Sequence, residues 1–217
     1  MMQSFTALLR HEFLLEWRQR NALGGILLYV VSTVFVAYIT FKVVPPLAWI
    51  AIYWVIMLFA GTNAVAKSFM QLSPGRMLYY YSTVNPLQLV AAKLLYNTLL
   101  FWTIHLLTAL VLSVLVGNPV QDMPWFLFTG AIGIIGFSGI LTLVSAIAQK
   151  ASNQSTLMAV LSFPVLIPVL VLVIKLSKNA LDGLDRAVGY ESLGSLLAIN
   201  ALVVAVALLL FPYLWKD

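Results

Sequence analysis

Six long apolar runs, none with an Asp or Glu well inside it, constrain this chain more than any other feature. They lie near Ala22–Phe41, Leu47–Ala66, Ala91–Val116, Trp125–Gln149, Ser155–Lys175 and Gly194–Leu214. Each approaches the roughly 20 residues that a helix needs to cross the hydrocarbon core of a bilayer. Of the 217 residues, 62% are hydrophobic and 9% charged, whereas about a quarter are charged in a soluble domain. Water-soluble packing cannot hide that much apolar surface. The expected fold is therefore an all-α integral membrane protein with six transmembrane helices in a single domain, 1–217.

Charge sets the orientation. Eight Lys and Arg fall on one side of the six runs: Arg10, Arg18, Arg20, Lys67, Arg76, Lys93, Lys150 and Lys216. Four fall on the other: Lys42, Lys175, Lys178 and Arg186. The richer side is expected to be cytoplasmic, with both termini and the connection after the second run. The net charge of +5 then reflects topology, and no nucleic-acid partner is expected. The absence of cysteine excludes disulfides, thiolate catalysis and covalent haem attachment.

The N-terminal stretch 1–21 reads as a helix lying in the cytoplasmic interface. Phe5, Leu8, Leu9, Phe13 and Trp17 form its apolar side, and Arg10, Glu12, Glu16, Arg18 and Arg20 its polar side. Between the second and third runs, 67–86 holds a short helix. Ser73 suits the cap, Pro74 the first turn, and Asn85-Pro86 the stop. Too short to span, it carries Met77, Leu78, Tyr80 and Tyr81 beside Gly75 and Arg76, a composition suited to a protein interface. The outer connection 176–193 is expected to form a short amphipathic helix, with Leu181, Leu184 and Val188 on one face.

Little chemistry sits inside the spans. A proton pump or cation channel usually places ionisable groups along its path, and His105 is the one titratable group that stands out there. Without further ligand residues at metal-binding spacing, it reads as a polar contact to a neighbouring helix. The fourth run has a glycine every third residue, Gly130, Gly133, Gly136 and Gly139, a track that lets another backbone approach closely. Gly136-Phe-Ser-Gly139 resembles the nucleophile motif of rhomboid intramembrane proteases, but the sixth run lacks the histidine that would activate Ser138. Pro164 and Pro168 in the fifth run each remove a backbone donor, so a bend is expected there.

The order of these features resembles the haem exporter protein B family, the permeases of the ABC-type cytochrome c maturation system. The resemblance rests on Arg10-x-Glu12 and Arg18 in an interfacial helix, six spans, a helical insert, Gly-Phe-x-Gly in span four and Pro-x-x-Ile-Pro in span five. The insert departs from the family by lacking acidic residues between Met70 and Asn85. The resemblance implies a type-2 ABC transporter membrane domain in a bacterial inner membrane, non-catalytic and binding no cofactor itself. No G-x-x-x-x-G-K-[ST] occurs in the chain, so ATP would bind a separate ATPase subunit docked on Pro74, Gly75, Arg76, Met77, Leu78, Tyr80 and Tyr81. The other implied partners are a haem-handling membrane subunit and a haem chaperone, in a homodimeric or heteromeric complex. Haem would be a ligand transported or handled by that complex. The six tryptophans are scattered and form no haem-handling motif. A non-transporting scaffold for maturation factors is the alternative.

Overall fold

The computed structural model describes residues 6, 8–10, 14, 20–41, 43–70, 85–149 and 153–216. These are helical almost throughout. Six long helices follow in order: α1 (Arg20–Thr40), α2 (Pro46–Met70), α3 (Pro86–Leu115), α4 (Met123–Ala148), α5 (Gln154–Leu181) and α6 (Tyr190–Lys216). Among the described residues, five helical segments are long and apolar enough to cross a membrane: Pro46–Val65, Pro86–Leu115, Met123–Ala148, Thr156–Leu181 and Arg186–Tyr213. The apolar part of α1, Gly24–Thr40, is shorter.

Local chemistry fixes the helix ends. Asn85 caps α3 by accepting a hydrogen bond from Leu87 N at 2.9 Å, with Pro86 opening the helix. Asp122 caps α4 in the same way, accepting from Trp125 N at 3.1 Å. Gly183 ends α5 in the left-handed conformation, φ 61°, and Leu184 N donates back to Asn179 O at 3.1 Å. That 6→1 bond and left-handed glycine form a Schellman stop.

The stop corrects the expectation for 176–193. α5 continues to Leu181 and α6 begins at Tyr190, so the outer connection contains only a four-residue 3-10 turn, Arg186–Gly189. Leu181 is buried while Leu184 and Val188 are exposed, so the three do not share a face. The periodicity read across Gly183 joins the end of one helix to a different element. Similarly, α3 starts at Pro86 rather than near Ala91. The flanking polar residues join the helices because a capped end supplies the hydrogen bonds that water would otherwise provide.

α4 is the centre of the bundle. It packs against α2, α3, α5 and α6, and 72% of its most apolar stretch is buried, against 28% for α5 and 22% for α6. The last two therefore present most of their apolar side chains outward. An aromatic cluster fills the space between α2 and α4. Tyr53 lies 4.9 Å from Phe126 and 5.3 Å from Trp54, edge to face, and stacks on Trp49 at 5.7 Å. Trp49 Nε1 donates to Gly117 O at 3.0 Å, which ties the start of α2 to the end of α3.

Candidate coupling end and the seams of the bundle

α2 leaves, and α3 returns, at one end of the bundle. The connection between them holds the expected partner contacts Pro74, Gly75, Arg76, Met77, Leu78, Tyr80 and Tyr81, which lie outside the described residues. The base to which it attaches is described. Leu89 and Val90 of α3, Ala146 of α4 and Phe211 of α6 form a small buried cluster, and Leu8 of the N-terminal segment packs against it. Three helix ends and the N-terminal segment therefore meet where the insert joins α3.

The spans are held together by a few buried polar contacts. Tyr53 Oη hydrogen-bonds His105 Nδ1, and His105 Nε2 lies 3.2 Å from Leu127 O. A carbonyl can only accept, so Nε2 carries the proton and Nδ1 accepts from the tyrosine. One imidazole thereby joins α2, α3 and α4. Asn97 Nδ2 donates to Thr142 Oγ1 at 2.8 Å, and Trp54 Nε1 donates to Ser177 Oγ at 3.0 Å. Asn200 Nδ2 donates to Ile132 O at 2.8 Å, fixing α6 to α4. Ser138 is fully buried, and its hydroxyl meets Thr98 Oγ1 at 3.0 Å and Leu94 O at 3.4 Å. Both contacts lie on α3, so Ser138 ties α4 to α3.

The four glycines of α4 face four different side chains. A Cβ on Gly130 would strike the His105 ring, and one on Gly133 would strike Val173 of α5. On Gly136 it would strike Asn200 Oδ1, and on Gly139 it would come within 2.7 Å of Val203 Cγ1, both on α6. Three residues advance a helix by about 300°, so a glycine every third residue steps back roughly 60° each time. The track thereby sweeps from α3 across α5 to α6. Gly61 of α2, with the Phe101 ring over it, is a further close approach that the sequence reading missed. Its only signal was one glycine in an apolar run.

Pro164 and Pro168 lie inside α5, which remains helical through both, and both are exposed on its outward side. Other positions that sequence reasoning did not single out are Tyr53, Trp54, Asn97 and Asn200. Each is a polar or amphipathic side chain buried in a span, and each bonds a neighbouring helix.

At the opposite end, Arg186 latches two connections together. Its Nε and one terminal nitrogen reach the two oxygens of Asp122 at 2.7 and 3.0 Å, and its guanidinium lies 5.7 Å from the centre of the Trp125 ring. The hydrogen bond from Arg186 holds the Asp122 carboxyl below its ordinary value; partial desolvation opposes this and the Trp125 N–H adds to it. A lowered folded value makes the latch fully stabilising above the ordinary carboxylate range of about 4 and lost as pH falls below it. Asp122→Asn retains an acceptor for the α4 cap but removes the ion pair. In detergent thermal unfolding it should be less stable than the parent at pH 7, with the difference shrinking toward pH 3.

The match to a protein-family model covers residues 3–212, and that family is described as CcmB protein. The chain belongs to the CcmB family. No curated protein and no solved structure matches it. CcmB membership gives the chain a role in the haem export and cytochrome c maturation system. It also makes the chain part of a multi-subunit haem export complex and, with the apolar helices, a multi-pass protein of the bacterial inner membrane.

Proposed function

We propose that this CcmB-family chain is the membrane permease subunit of a type-2 ABC transporter, with α1 as the first of six spans and both termini in the cytoplasm. A separate subunit binds and hydrolyses ATP, and this chain contributes no catalytic residue. The 67–86 insert receives the ATPase and passes its closure to the spans. The complex, with a haem-handling membrane subunit and a haem chaperone, releases haem toward apocytochrome c. The observation that most supports coupling is the shared base: Leu8, Leu89, Val90, Ala146 and Phe211 pack where the insert joins α3. A push on the insert meets three helices and the N-terminal segment at once, because close-packed cores transmit displacement rather than absorb it.

Co-purification of the chain with its neighbours tests the reading. An ATPase should accompany it, and its turnover should depend on this subunit. A scaffold would bind maturation factors while leaving ATP turnover unchanged. Topology is tested separately by single cysteines in this cysteine-free chain. Ser73→Cys should react with an impermeant maleimide only from the cytoplasm. Leu184→Cys, at an exposed site in the other connection, should react only from outside. Labelling of both from one side would overturn the six-span arrangement.

A further inference from the structure

The outward side of α5 carries hydrogen-bond acceptors that the helix does not satisfy. Proline has no N–H, so Pro164 removes the backbone donor for Val160 O, and Pro168 removes the one for Pro164 O. α5 stays helical through both positions. The one hydroxyl in this stretch, Ser162 Oγ, donates to Met158 O instead. The bonds that reach α5 from α2 and from the turn before α4, Trp54 Nε1 to Ser177 Oγ and Asp122 N to Ala180 O, both lie near its other end.

Depth makes the two carbonyls costly. From the midpoint of the span Thr156–Leu181, Pro164 lies about 7 Å and Val160 about 13 Å at 1.5 Å per residue. Both fall inside a hydrocarbon core about 30 Å thick, where lipid offers no donor. They also open outward: Val160, Pro164, Ile167, Pro168, Val171 and Ile174 are all exposed. Val160, Pro164, Ile167, Val171 and Ile174 succeed one another at spacings of 4, 3, 4 and 3, the repeat that keeps one seam of a helix against another.

The same residues decide what can cover the seam. Water at the carbonyls would meet Val160, Phe163 and Ile167, without the two to four polar partners that hold a buried water. Lys178 lies on the seam four residues past Ile174 and is exposed. A second copy packed seam to seam about an axis along the membrane normal would set lysine against lysine and acceptor against acceptor. A different helix, one that carries donors, avoids both conflicts.

We infer that the outward face of α5 seats a membrane helix of another subunit of the complex, whose hydroxyl, amide or indole side chains donate to the Val160 and Pro164 carbonyls. Apolar area alone would not select such a partner, because lipid tails match it equally well; interhelical hydrogen bonds do. The seat requires only that the chain belongs to a multi-subunit complex, so it stands or falls apart from the ATPase reading.

Crosslinking in the purified complex tests the seat. A benzophenone-bearing residue placed at Phe163 or Ile167 should join the chain to another membrane subunit. Mass spectrometry of the product should place the joined residue within one turn of a Ser, Thr, Asn, Gln or Trp. Joining to lipid alone, to a second copy of this chain alone, or to nothing overturns the assignment. So does ready reaction of Ile167→Cys with an impermeant maleimide, the mark of a water-lined path in this cysteine-free chain. Pro164→Ala with Pro168→Ala restores both backbone donors. The variant chain alone should survive a detergent heat challenge at least as well as the parent, while retention of the crosslinked subunit falls by about threefold for each bond lost. Unchanged retention means that the carbonyls are not what the partner recognises, and the assignment fails.

Discussion

Gly133→Ala is expected to reduce the folded, membrane-inserted chain severely. The added Cβ would collide with Val173 Cγ1 on the adjacent α5. Both residues lie on long helices that α4 and α5 hold in extensive contact, so neither can move without shifting a helix. Overpacking of this kind costs about 1–3 kcal/mol even where the surroundings relax in part. Gly136→Ala should behave similarly. It would displace Asn200, whose Nδ2 makes the 2.8 Å bond to Ile132 O that joins α6 to α4. Gly24→Ala supplies the control, since nothing lies within 4 Å of a Cβ there; it should be neutral or slightly stabilising, because alanine is the better helix former. Thermal unfolding in detergent, read by the loss of monodisperse protein, measures all three. The decisive comparison is Gly133→Ala with Val173→Ala. Removing the obstructing methyl groups should recover at least half of the loss, whereas an indirect effect of the glycine would leave the two changes additive.

The second large effect concerns coupling rather than stability. Arg76→Glu, or Tyr80→Ala with Tyr81→Ala, should release the ATPase from the complex and stop cytochrome c maturation, while the chain remains inserted and folded. Truncating aromatic anchors at the centre of an interface costs about 2 kcal/mol or more each, which is at least tenfold in affinity. Arg76 would sit at the rim and meet acidic side chains of the ATPase, so its reversal should also make binding strongly salt-dependent. The base cluster of Leu89, Val90, Ala146 and Phe211 is untouched by these substitutions, so detergent stability should stay at the parental level. Retention of the ATPase by both variants at low salt, where charge repulsion is least screened, would make the insert an interfacial anchor in the headgroup belt, and the coupling reading would fail.

These two expectations draw on different sources of information. The expectation for the insert rests on the sequence alone, on a stretch with Met77, Leu78, Tyr80 and Tyr81 and no Asp or Glu between two spans, and its residues lie outside those described. The glycine track was legible as a spacing. Its individual partners, His105, Val173, Asn200 and Val203, were not, because they come from three other helices whose rotation no local pattern records. The outer connection shows the opposite failure. Leu181, Leu184 and Val188 have helical spacing, yet the left-handed Gly183 between them breaks the helix. A glycine in a helical pattern is compatible with both outcomes. Here the Schellman bond from Leu184 N to Asn179 O decides between them.

By itself, the sequence determined that the chain is a helical membrane protein, roughly where its helices lie, and which features resemble CcmB. Hydrocarbon offers no hydrogen bonds, so an apolar run of about 20 residues has to satisfy its backbone internally as a helix. That requirement acts locally and is written into every run. Only the tertiary structure decided that α4 is the central helix, that His105 joins Tyr53 to the Leu127 carbonyl, and that Arg186 closes onto Asp122. Those pairings depend on the relative rotation and depth of separate helices, which packing sets after the helices have formed.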